Sequence, residues 1–148
     1  MKLPKKMLFK LINIYPAFLG GGININVADD VKTIDAKIKL RFWNRNYVGT
    51  QYGGTMFSMC DAPFFLLMVE NLGPDYIVWD KSANITFKKP GKGDVFARFH
   101  LTDDFYNGIR EELKSTEKTT RDVNVDIKDK EGNTIATITK NVYIRRKS

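Results

Sequence analysis

The segment from Tyr52 to Leu72 is apolar on nearly every side, and Gly73-Pro74 ends it. We predict that it forms a helix, and a helix without a polar face must be buried on most of its sides. A single layer of sheet with one buried face can supply that cover only by curling around the helix. Pro63 lies inside the segment and predicts that the helix is kinked or divided.

Strand patterns occupy most of the chain after Val31. Apolar residues alternate with polar ones, which is typical of an antiparallel sheet with one buried and one wet face. Asp129 to Asn133 predicts a hairpin turn between the last two strands. Asp103 to Lys118, with acids in its first turn and lysines in its last, predicts a second helix. The fold class is therefore α+β. The predicted core positions are Ile34, Ala36, Ile38, Leu40, Phe42, Ile77, Trp79, Ala83, Ile85, Phe87, Val95, Ala97, Phe99, Leu101, Val123, Val125, Ile127, Ala136, Ile138, Val142 and Ile144, with Lys81 as an exception to the alternation.

The first 22 residues are interpreted as an N-terminal part, separate from a main domain at residues 23–148. Pro4 to Ile14 predicts a short amphipathic helix, after which Gly20-Gly21-Gly22 breaks the chain. One interpretation of this helix is an anchor on a membrane surface. We favour the other, in which the helix packs on the domain or on its neighbour and does not contact a membrane. Its apolar stripe is Leu3, Met7, Leu8, Leu11, Ile12 and Tyr15, and its polar side is Lys5, Lys6, Lys10 and Asn13.

The net charge of +7 comes from the two ends of the chain. Residues 1–28 contain four lysines and no acid, and residues 145–148 contain Arg145, Arg146 and Lys147 and no acid. Residues 29–144 are therefore neutral overall. A nucleic-acid-binding module usually carries its positive charge on the folded face, so we expect no nucleic-acid partner.

The single histidine, His100, and the single cysteine, Cys60, exclude several kinds of site. They allow neither a disulfide within the chain nor a zinc site built from nitrogen and sulfur ligands. We expect no metal and no cofactor. No stretch approaches the ~20 apolar residues of a membrane helix. Lys10, Asn13 and Pro16 interrupt the apolar N-terminal stretch, so we expect a cytoplasmic protein rather than a secreted one.

Asp61 is the only acid between Asp35 and Glu70, and it falls inside the apolar segment. A carboxylate in such surroundings is costly unless it has a partner or a function. Asp61 could therefore be a functional group. It could equally be a structural one that hydrogen-bonds a neighbouring loop or a second copy of the chain, and its position alone favours neither.

Gly53 and Gly54 stand at the start of the predicted helix, where backbone N–H groups are open and carry partial positive charge. Such groups can stabilise an oxygen that becomes negative during acyl transfer, although paired glycines also permit tight packing of a helix on a sheet. Asp61 follows seven residues after Gly54, ~10 Å along a helix. One protomer could not easily aim both groups at one carbonyl, so we expect a site shared across a two-fold dimer.

The pattern Asn46-x-x-Gly49-Thr50-x-Tyr52-Gly53-Gly54, followed by Asp61, resembles the signature of hotdog-fold acyl-CoA thioesterases of the phenylacetate-pathway type. Residues 83–95 resemble the strand–Pro–Gly-Asp segment of that family, and residues 129–136 resemble its last hairpin. The resemblance covers residues 29–145 and implies a curved antiparallel sheet wrapped around a long helix. The extra helix before the last two strands resembles a less characterised branch, often labelled a domain of unknown function.

The resemblance implies a role for each matching residue. The N–H of Gly53 or Gly54 would polarise the thioester carbonyl, and Asp61 from the other protomer would act as general base or nucleophile. Asn46 would position the water or the carbonyl. Tyr52 stands where the family usually has histidine, and a tyrosine can donate a hydrogen bond but is a poor base at neutral pH. The phosphates of coenzyme A could be met by Lys88, Lys89, Lys92 and Arg98, unless these form only a solvated basic rim.

We therefore expect hydrolysis of an acyl-CoA, or of another acyl thioester, by a homodimer or a dimer of dimers. The alternative is a non-catalytic acyl-CoA-binding or lipid-binding protein of the same fold, which Tyr52 and Pro63 favour. A hotdog dehydratase or hydratase would pair a histidine with an acid, and only His100 is available. We expect His100 to be a surface residue and Cys60 to belong to the core.

Overall fold

The structure of the protein, a computed structural model, describes residues 5–148, apart from the side chain of Lys6. It contains five helices and six strands within that range. In chain order these are α1 Lys5–Ile12, α2 Pro16–Gly21, β1 Ile23–Val27, β2 Thr33–Ile38, α3 Gly53–Met59, α4 Ala62–Leu72, β3 Tyr76–Phe87, β4 Val95–His100, α5 Asp103–Glu112, β5 Lys118–Lys128 and β6 Thr134–Arg146.

The strands form one antiparallel sheet in the order β1-β2-β4-β5-β6-β3. α4 packs against the neighbouring strands β2 and β4 and also against β3, which lies at the far edge of the sheet, so the sheet curves around the helix. The core lies between the inner face of the sheet and the two central helices, where α4 contributes Phe64, Leu67 and Met68. The predicted α+β architecture, a curved sheet around an apolar helical segment, is confirmed.

The helical segment is divided near its middle. α3 ends at Met59, and α4 begins at Ala62 with Pro63 in its first turn. Proline fits a first helical turn, where its missing N–H is not needed, so the division predicted from Pro63 is confirmed. The prediction that Asp61 lies inside the apolar helix is wrong. Asp61 stands at the corner between the two helices, and its side chain is 70% exposed.

β3 is the last strand of the sheet and has only β6 beside it. A bulge between Asp80 and Ser82 shifts the register, which explains why Lys81 breaks the predicted alternation. An edge strand is covered on one side only, and β2 ends before residue 40. Before the bulge the buried residue is Val78, so Trp79, which was predicted to face the core, lies on the outer face instead. Three other positions predicted to face the core are also exposed: Phe42, Ala83 and Phe87.

The N-terminal part packs on β1, the outermost strand of the sheet, which the sequence patterns did not predict. Phe9 and Phe18 are buried. The side chain of Asn13 forms two hydrogen bonds with the backbone of Ile25, at 2.7 and 2.9 Å. The chain break predicted at Gly20-Gly21-Gly22 is confirmed, because α2 ends at Gly21 and Gly22 has a φ of 69°.

The predicted apolar stripe of α1 does not face the domain. Met7, Leu8, Leu11 and Tyr15 are exposed, and Ile12 is half-buried. Because Phe9 lies on the opposite side of the helix from Met7 and Leu11, burying Phe9 turns the stripe outward. Leu3 and Pro4, which the prediction also included, lie outside the described residues.

The second predicted helix and the hairpin turn are present. The side chain of Thr102, the N-cap of α5, accepts a hydrogen bond from the Phe105 amide. The helix ends at Glu112, short of the predicted Lys118, which is the first residue of β5. In the turn between β5 and β6, hydrogen bonds from Asn133 and nearby amides hold the pKa of Asp129 below its ordinary value. Among residues 5–148 no helix has both the length and the apolar character needed to cross a membrane.

Candidate functional site

A groove of about 410 Å³ opens at the start of α3. Its walls come from the loop before α3, from the first turn of α3 and from the segment that follows β3. Several of the residues predicted from the sequence line it together: Asn46, Gly53, Lys88 and Lys89. The other lining residues are Thr50, Gln51, Met56, Phe87, Pro90 and Gly91.

The first turn of α3 is covered by two aromatic rings. A Cβ added at Gly53 would lie 2.7 Å from Cζ of Phe87. A Cβ added at Gly54 would lie 2.6 Å from Cε1 of Tyr52 and 3.2 Å from its hydroxyl oxygen. No side chain fits at these distances without moving a ring, so both positions favour glycine. The Tyr52 hydroxyl, a hydrogen-bond donor, therefore stands beside the backbone of Gly54.

Among the amides of this first turn, those of Gly53 and Gly54 donate no hydrogen bond within residues 5–148, whereas those of Thr55 and Met56 donate to the Tyr52 carbonyl at 3.1 and 3.2 Å. Tyr52 is the N-cap residue of α3, and its side chain makes no capping hydrogen bond. The first N–H groups of a helix have no acceptor within the helix, and they carry the positive end of its dipole. The start of α3 can therefore donate hydrogen bonds to an oxygen that is bound in the groove.

Asn46 folds the loop that leads to this turn. Its Oδ1 accepts hydrogen bonds from the amides of Val48 and Thr50 at 3.2 and 3.0 Å, and its Nδ2 donates to Oγ1 of Thr50 at 2.9 Å. Gly49 has a φ of 84°, which lets the loop turn back. Both polar atoms of the Asn46 side chain are thus used within its own loop.

Gln51 fastens the same loop to the segment after β3. Its amide donates to the carbonyl of Gly91 at 2.8 Å, and its buried side chain donates to the carbonyl of Gly93 at 3.0 Å. This positions two exposed cations at the rim of the groove, Lys88 and Lys89. Lys92 is also exposed and belongs to the same segment, but it does not line the groove.

Arg98 and His100 lie on β4, apart from the groove. Arg98 forms two hydrogen bonds with the carboxylate of Asp35 on β2, at 2.7 and 3.0 Å, and this carboxylate raises the pKa of the guanidinium. His100 is exposed and bonds through Nδ1 to Oγ1 of Thr33 at 2.8 Å. The expectation that His100 is a surface residue is confirmed, and neither residue meets the other predicted site residues.

A second cluster lies at the far end of α3. We call it the Asp61 corner, and it consists of Cys60, Asp61, Asp80 and Lys140. The Lys140 side chain is 2% exposed. Its Nζ donates to the backbone carbonyl of Asp61 and to Oδ2 of Asp80, each at 2.5 Å, and lies 3.7 Å from Oδ1 of Asp61. A buried ammonium from the last strand therefore holds the corner between α3 and α4.

Lys140 was not predicted as a site residue, although the sequence around it carries a signal. Ile138, Lys140 and Val142 share the buried face of β6, so a charge interrupts an apolar alternation. A buried cation requires oxygen partners, and this requirement points towards nearby carboxylates. Asp80, which lies directly before the bulge of β3, is the carboxylate that accepts from Lys140. The other oxygen of Asp80, Oδ1, is buried and has no hydrogen-bond partner within residues 5–148.

Cys60 is fully buried beside Asp61. Burial raises the pKa of its thiol to about 12, against a smaller lowering effect of Lys140. Since the thiolate is the reactive form, this cysteine is inert at neutral pH. The prediction that Cys60 belongs to the core is confirmed.

Within one chain, Asp61 lies far from the groove at the start of α3. The helix rises roughly 12 Å between Gly53 and Asp61, and Asp61 does not line the groove. A group that transfers a proton must come within hydrogen-bond reach of the reacting atoms. The carboxylate of Asp61 therefore cannot serve the groove of its own chain in this arrangement.

Comparisons with known proteins agree with the architecture. The family described as domain of unknown function DUF4442 matches residues 5–144. A crystal structure of a probable thioesterase of unknown function from Pseudomonas aeruginosa is similar, with 18% identity, a TM-score of 0.84 and coverage of 99% of each chain. A thioesterase from Haemophilus influenzae has 15% identity and a TM-score of 0.70, and the match covers 98% of this chain and 93% of that one.

A third similar structure contains coenzyme A. It is a hypothetical thioesterase from Streptococcus pneumoniae, solved with coenzyme A, with 20% identity and a TM-score of 0.56 over 85% of this chain and 88% of that one. The comparison with curated proteins found no match. At these identities the likeness concerns the fold, and the chain has the hotdog fold.

Proposed function

The chain belongs to the DUF4442 family, and from this premise and the geometry of its site we propose that it hydrolyses an acyl thioester, in the first place an acyl-CoA. The observation that carries the proposal is the uncapped start of α3, where the Gly53 backbone forms a wall of a groove with two lysines at its rim. Donors placed in this way stabilise the negative oxygen that forms during acyl transfer.

We assign the polarisation of the thioester carbonyl to the amides of Gly53 and Gly54, with the Tyr52 hydroxyl as a further donor. Asn46 acts as a positioning residue, because its side chain holds the loop that ends at Tyr52. Lys88 and Lys89 are placed to meet the phosphates of coenzyme A, and Lys92 can reach the same ligand from the neighbouring turn. Arg98 would first have to leave Asp35, so its contribution is the smallest.

Asp61 is assigned to the groove of a second copy of the chain. β3 offers a contact for that copy, because it is an edge strand of 12 residues with Trp79 and Phe87 exposed. An open edge of this length tends to pair with another strand, and a two-fold axis would apply the contact twice. Phe87 also covers Gly53, so this edge adjoins the groove. The functional unit is therefore a homodimer or a dimer of dimers.

The carboxylate of Asp61 has two chemical routes. As a general base it takes a proton from water while the water oxygen bonds to the carbonyl carbon, after which the C–S bond breaks and the thiolate leaves. As a nucleophile it bonds to the carbonyl carbon itself, expels the thiolate and forms an anhydride that water then hydrolyses. A single turnover in isotopically labelled water separates them, because only the second route places label in the Asp61 carboxylate.

The proposal is tested by hydrolysis across a panel of acyl-CoAs, with wild type beside Asp61→Asn. We expect turnover to fall by about 1,000-fold in the variant with little change in stability, because the side chain is 70% exposed. The matched control is Asp104→Asn, which removes an exposed carboxylate from α5. An Asp61→Asn variant with full turnover would exclude the assigned mechanism.

The second candidate is an acyl-CoA-binding or lipid-binding protein without catalysis. Two observations favour it: Tyr52 cannot act as a base at neutral pH, and both polar atoms of the Asn46 side chain are engaged within its loop. Tight binding of acyl-CoA without turnover in wild type would support this function. Tyr52→His would then show whether a base at this position restores hydrolysis.

A further inference from the structure

The N-terminal helices present apolar side chains to solvent. α1 buries Phe9 against the domain, while the opposite side of the helix carries exposed apolar residues. The exposure continues through α2. We call this surface the N-terminal apolar face, and it consists of Met7, Leu8, Leu11, Ile14, Tyr15 and Leu19. Met7, Leu8 and Leu11 lie on one side of α1, and exposed apolar side chains grouped in this way mark a place of interaction.

A basic groove of about 630 Å³ adjoins this face. Leu19 forms one side, and the turn after β2 forms the other with Lys39, Arg41 and the exposed Trp43. No acidic residue lines the groove. Within residues 5–148 neither Lys39 nor Arg41 forms an ion pair, and the Arg41 guanidinium lies 5.1 Å from the centre of the Trp43 ring.

The charge of the whole chain supports an anionic partner. Residues 1–28 contain no acid, and the second basic end, Arg145 to Lys147, is brought close to the first. Lys5 pairs with Glu70 near the end of α4, and the amide of Lys147 donates to the carbonyl of Asp75, only five residues further along. Lys5 and Lys147 therefore lie near the same end of α4.

We propose that the N-terminal apolar face docks on a bilayer of anionic phospholipids, with lipid phosphates held at Lys39 and Arg41. Apolar side chains beside unpaired cations are the combination that binds an anionic membrane surface. A second copy of the chain fits less well, because a two-fold contact would set the basic groove against itself. The docking is separate from hydrolysis and does not depend on it.

The test is co-sedimentation of the full-length protein with vesicles of phosphatidylcholine, alone or mixed with phosphatidylglycerol. We expect wild type to bind the mixed vesicles and not the neutral ones, and the binding to weaken with salt. Leu8→Ser/Leu11→Ser should lose at least about tenfold in affinity through lost apolar burial. Lys39→Glu/Arg41→Glu should lose at least as much, at about fivefold for each charge removed.

The control is Lys114→Glu/Lys118→Glu, which makes the same change of net charge at exposed positions, at the end of β5 opposite to the end of the sheet that carries Lys39 and Arg41. It should keep its binding. Wild type that stays in solution with mixed vesicles overturns the proposal, and so does an equal loss in the control, which would indicate a general charge effect. Light scattering gives the size of the protein in solution. If wild type binds no vesicles and Leu8→Ser/Leu11→Ser splits a larger assembly, a second copy of the chain covers the face.

Discussion

At the start of α3, the loop that leads into the helix is held by residues close together in sequence: Asn46 closes this loop, and the Tyr52 ring covers Gly54 two residues later. Only the opposite wall of the groove, from Phe87 to Gly91, comes from further along the chain. At the end of α3, the Asp61 corner is held by Lys140, a residue 79 positions further along the chain. The first region is thus specified by local turn chemistry, and the second by one long-range buried cation. The difference predicts that substitutions in the two regions fail in different ways.

The largest effect on stability is expected at the Asp61 corner. Lys140→Met leaves the carboxylate of Asp80 without its cation and the carbonyl of Asp61 without its donor. Breaking a buried ion pair from one side costs about 3 kcal/mol in the free energy of unfolding, measured by urea denaturation. Lys130→Met, at an exposed position of the hairpin turn, is the control and should change it by less than about 0.5 kcal/mol.

A double variant sharpens this result. Asp80→Asn/Lys140→Met should lose less free energy of unfolding than the two single variants lose together, because the double variant removes both members of the pair. If Lys140→Met is no less stable than Lys130→Met, the corner is not held by this cation.

A smaller loss is expected at the groove. In Gly53→Ala the new Cβ meets the Phe87 ring, so the ring or the helix must move. We expect a loss of about 1–2 kcal/mol in the free energy of unfolding and a fall of about tenfold in turnover from misplaced amides. Gly53→Ala/Phe87→Ala removes the clash and should recover part of the turnover.

Gly20→Ala is the matched control, since a Cβ at Gly20 meets open space. Alanine within α2 should leave stability unchanged or raise it by about 0.5–1 kcal/mol. Equal losses in Gly53→Ala and Gly20→Ala would mean that the close approach of Phe87 does not constrain the groove.

The smallest effect concerns the support of the groove and depends on pH. Burial raises the pKa of Asp94, but hydrogen bonds from the Leu40 amide and Lys37 outweigh it and hold the pKa below its ordinary value. A lowered pKa in the folded state stabilises the protein above the unfolded value of about 3.9, and this stabilisation is lost as pH falls through the folded value. Asp94→Asn should therefore lower stability by about 1 kcal/mol at neutral pH, with the difference vanishing in acid.

Urea denaturation at neutral and acidic pH measures this dependence, with Asp104→Asn as an exposed control. A constant difference between wild type and Asp94→Asn at every pH would show that the shape of the side chain matters and its charge does not.

The sequence predicted the parts of the molecule that depend on local patterns. The alternation of β5, the turn at Asp129 and the division at Pro63 each follow from residues within one element. Asn46, Gly53 and Gly54 were named as candidate site residues through a resemblance. These residues meet in space because they are neighbours along the chain.

The parts that were missed depend on contacts across the chain. Asp61 was placed inside a buried helix, because its hydropathic surroundings do not reveal which side of a corner faces solvent. Lys140 finds Asp80 only once β3 and β6 are paired. Phe9 faces the domain because β1 forms the surface beneath it, whereas the more evident apolar stripe around Met7 and Leu11 faces away. No sequence pattern predicted β1.

The position of β3 in the sheet has a consequence for how the chain folds during its synthesis. β3 pairs only with β6, and some 60 residues, through Arg146, must emerge from the ribosome after Phe87 before that pairing is complete. At the usual rate of translation this takes several seconds. At the start of that interval β4, β5 and β6 have not yet been synthesised, so the apolar helix α4 lacks half of the strands of its sheet, and Asp80 has no Lys140 to pair with. The nascent protein is thus most exposed to chaperones, and to aggregation, in the segment that later carries both its central helix and its open edge.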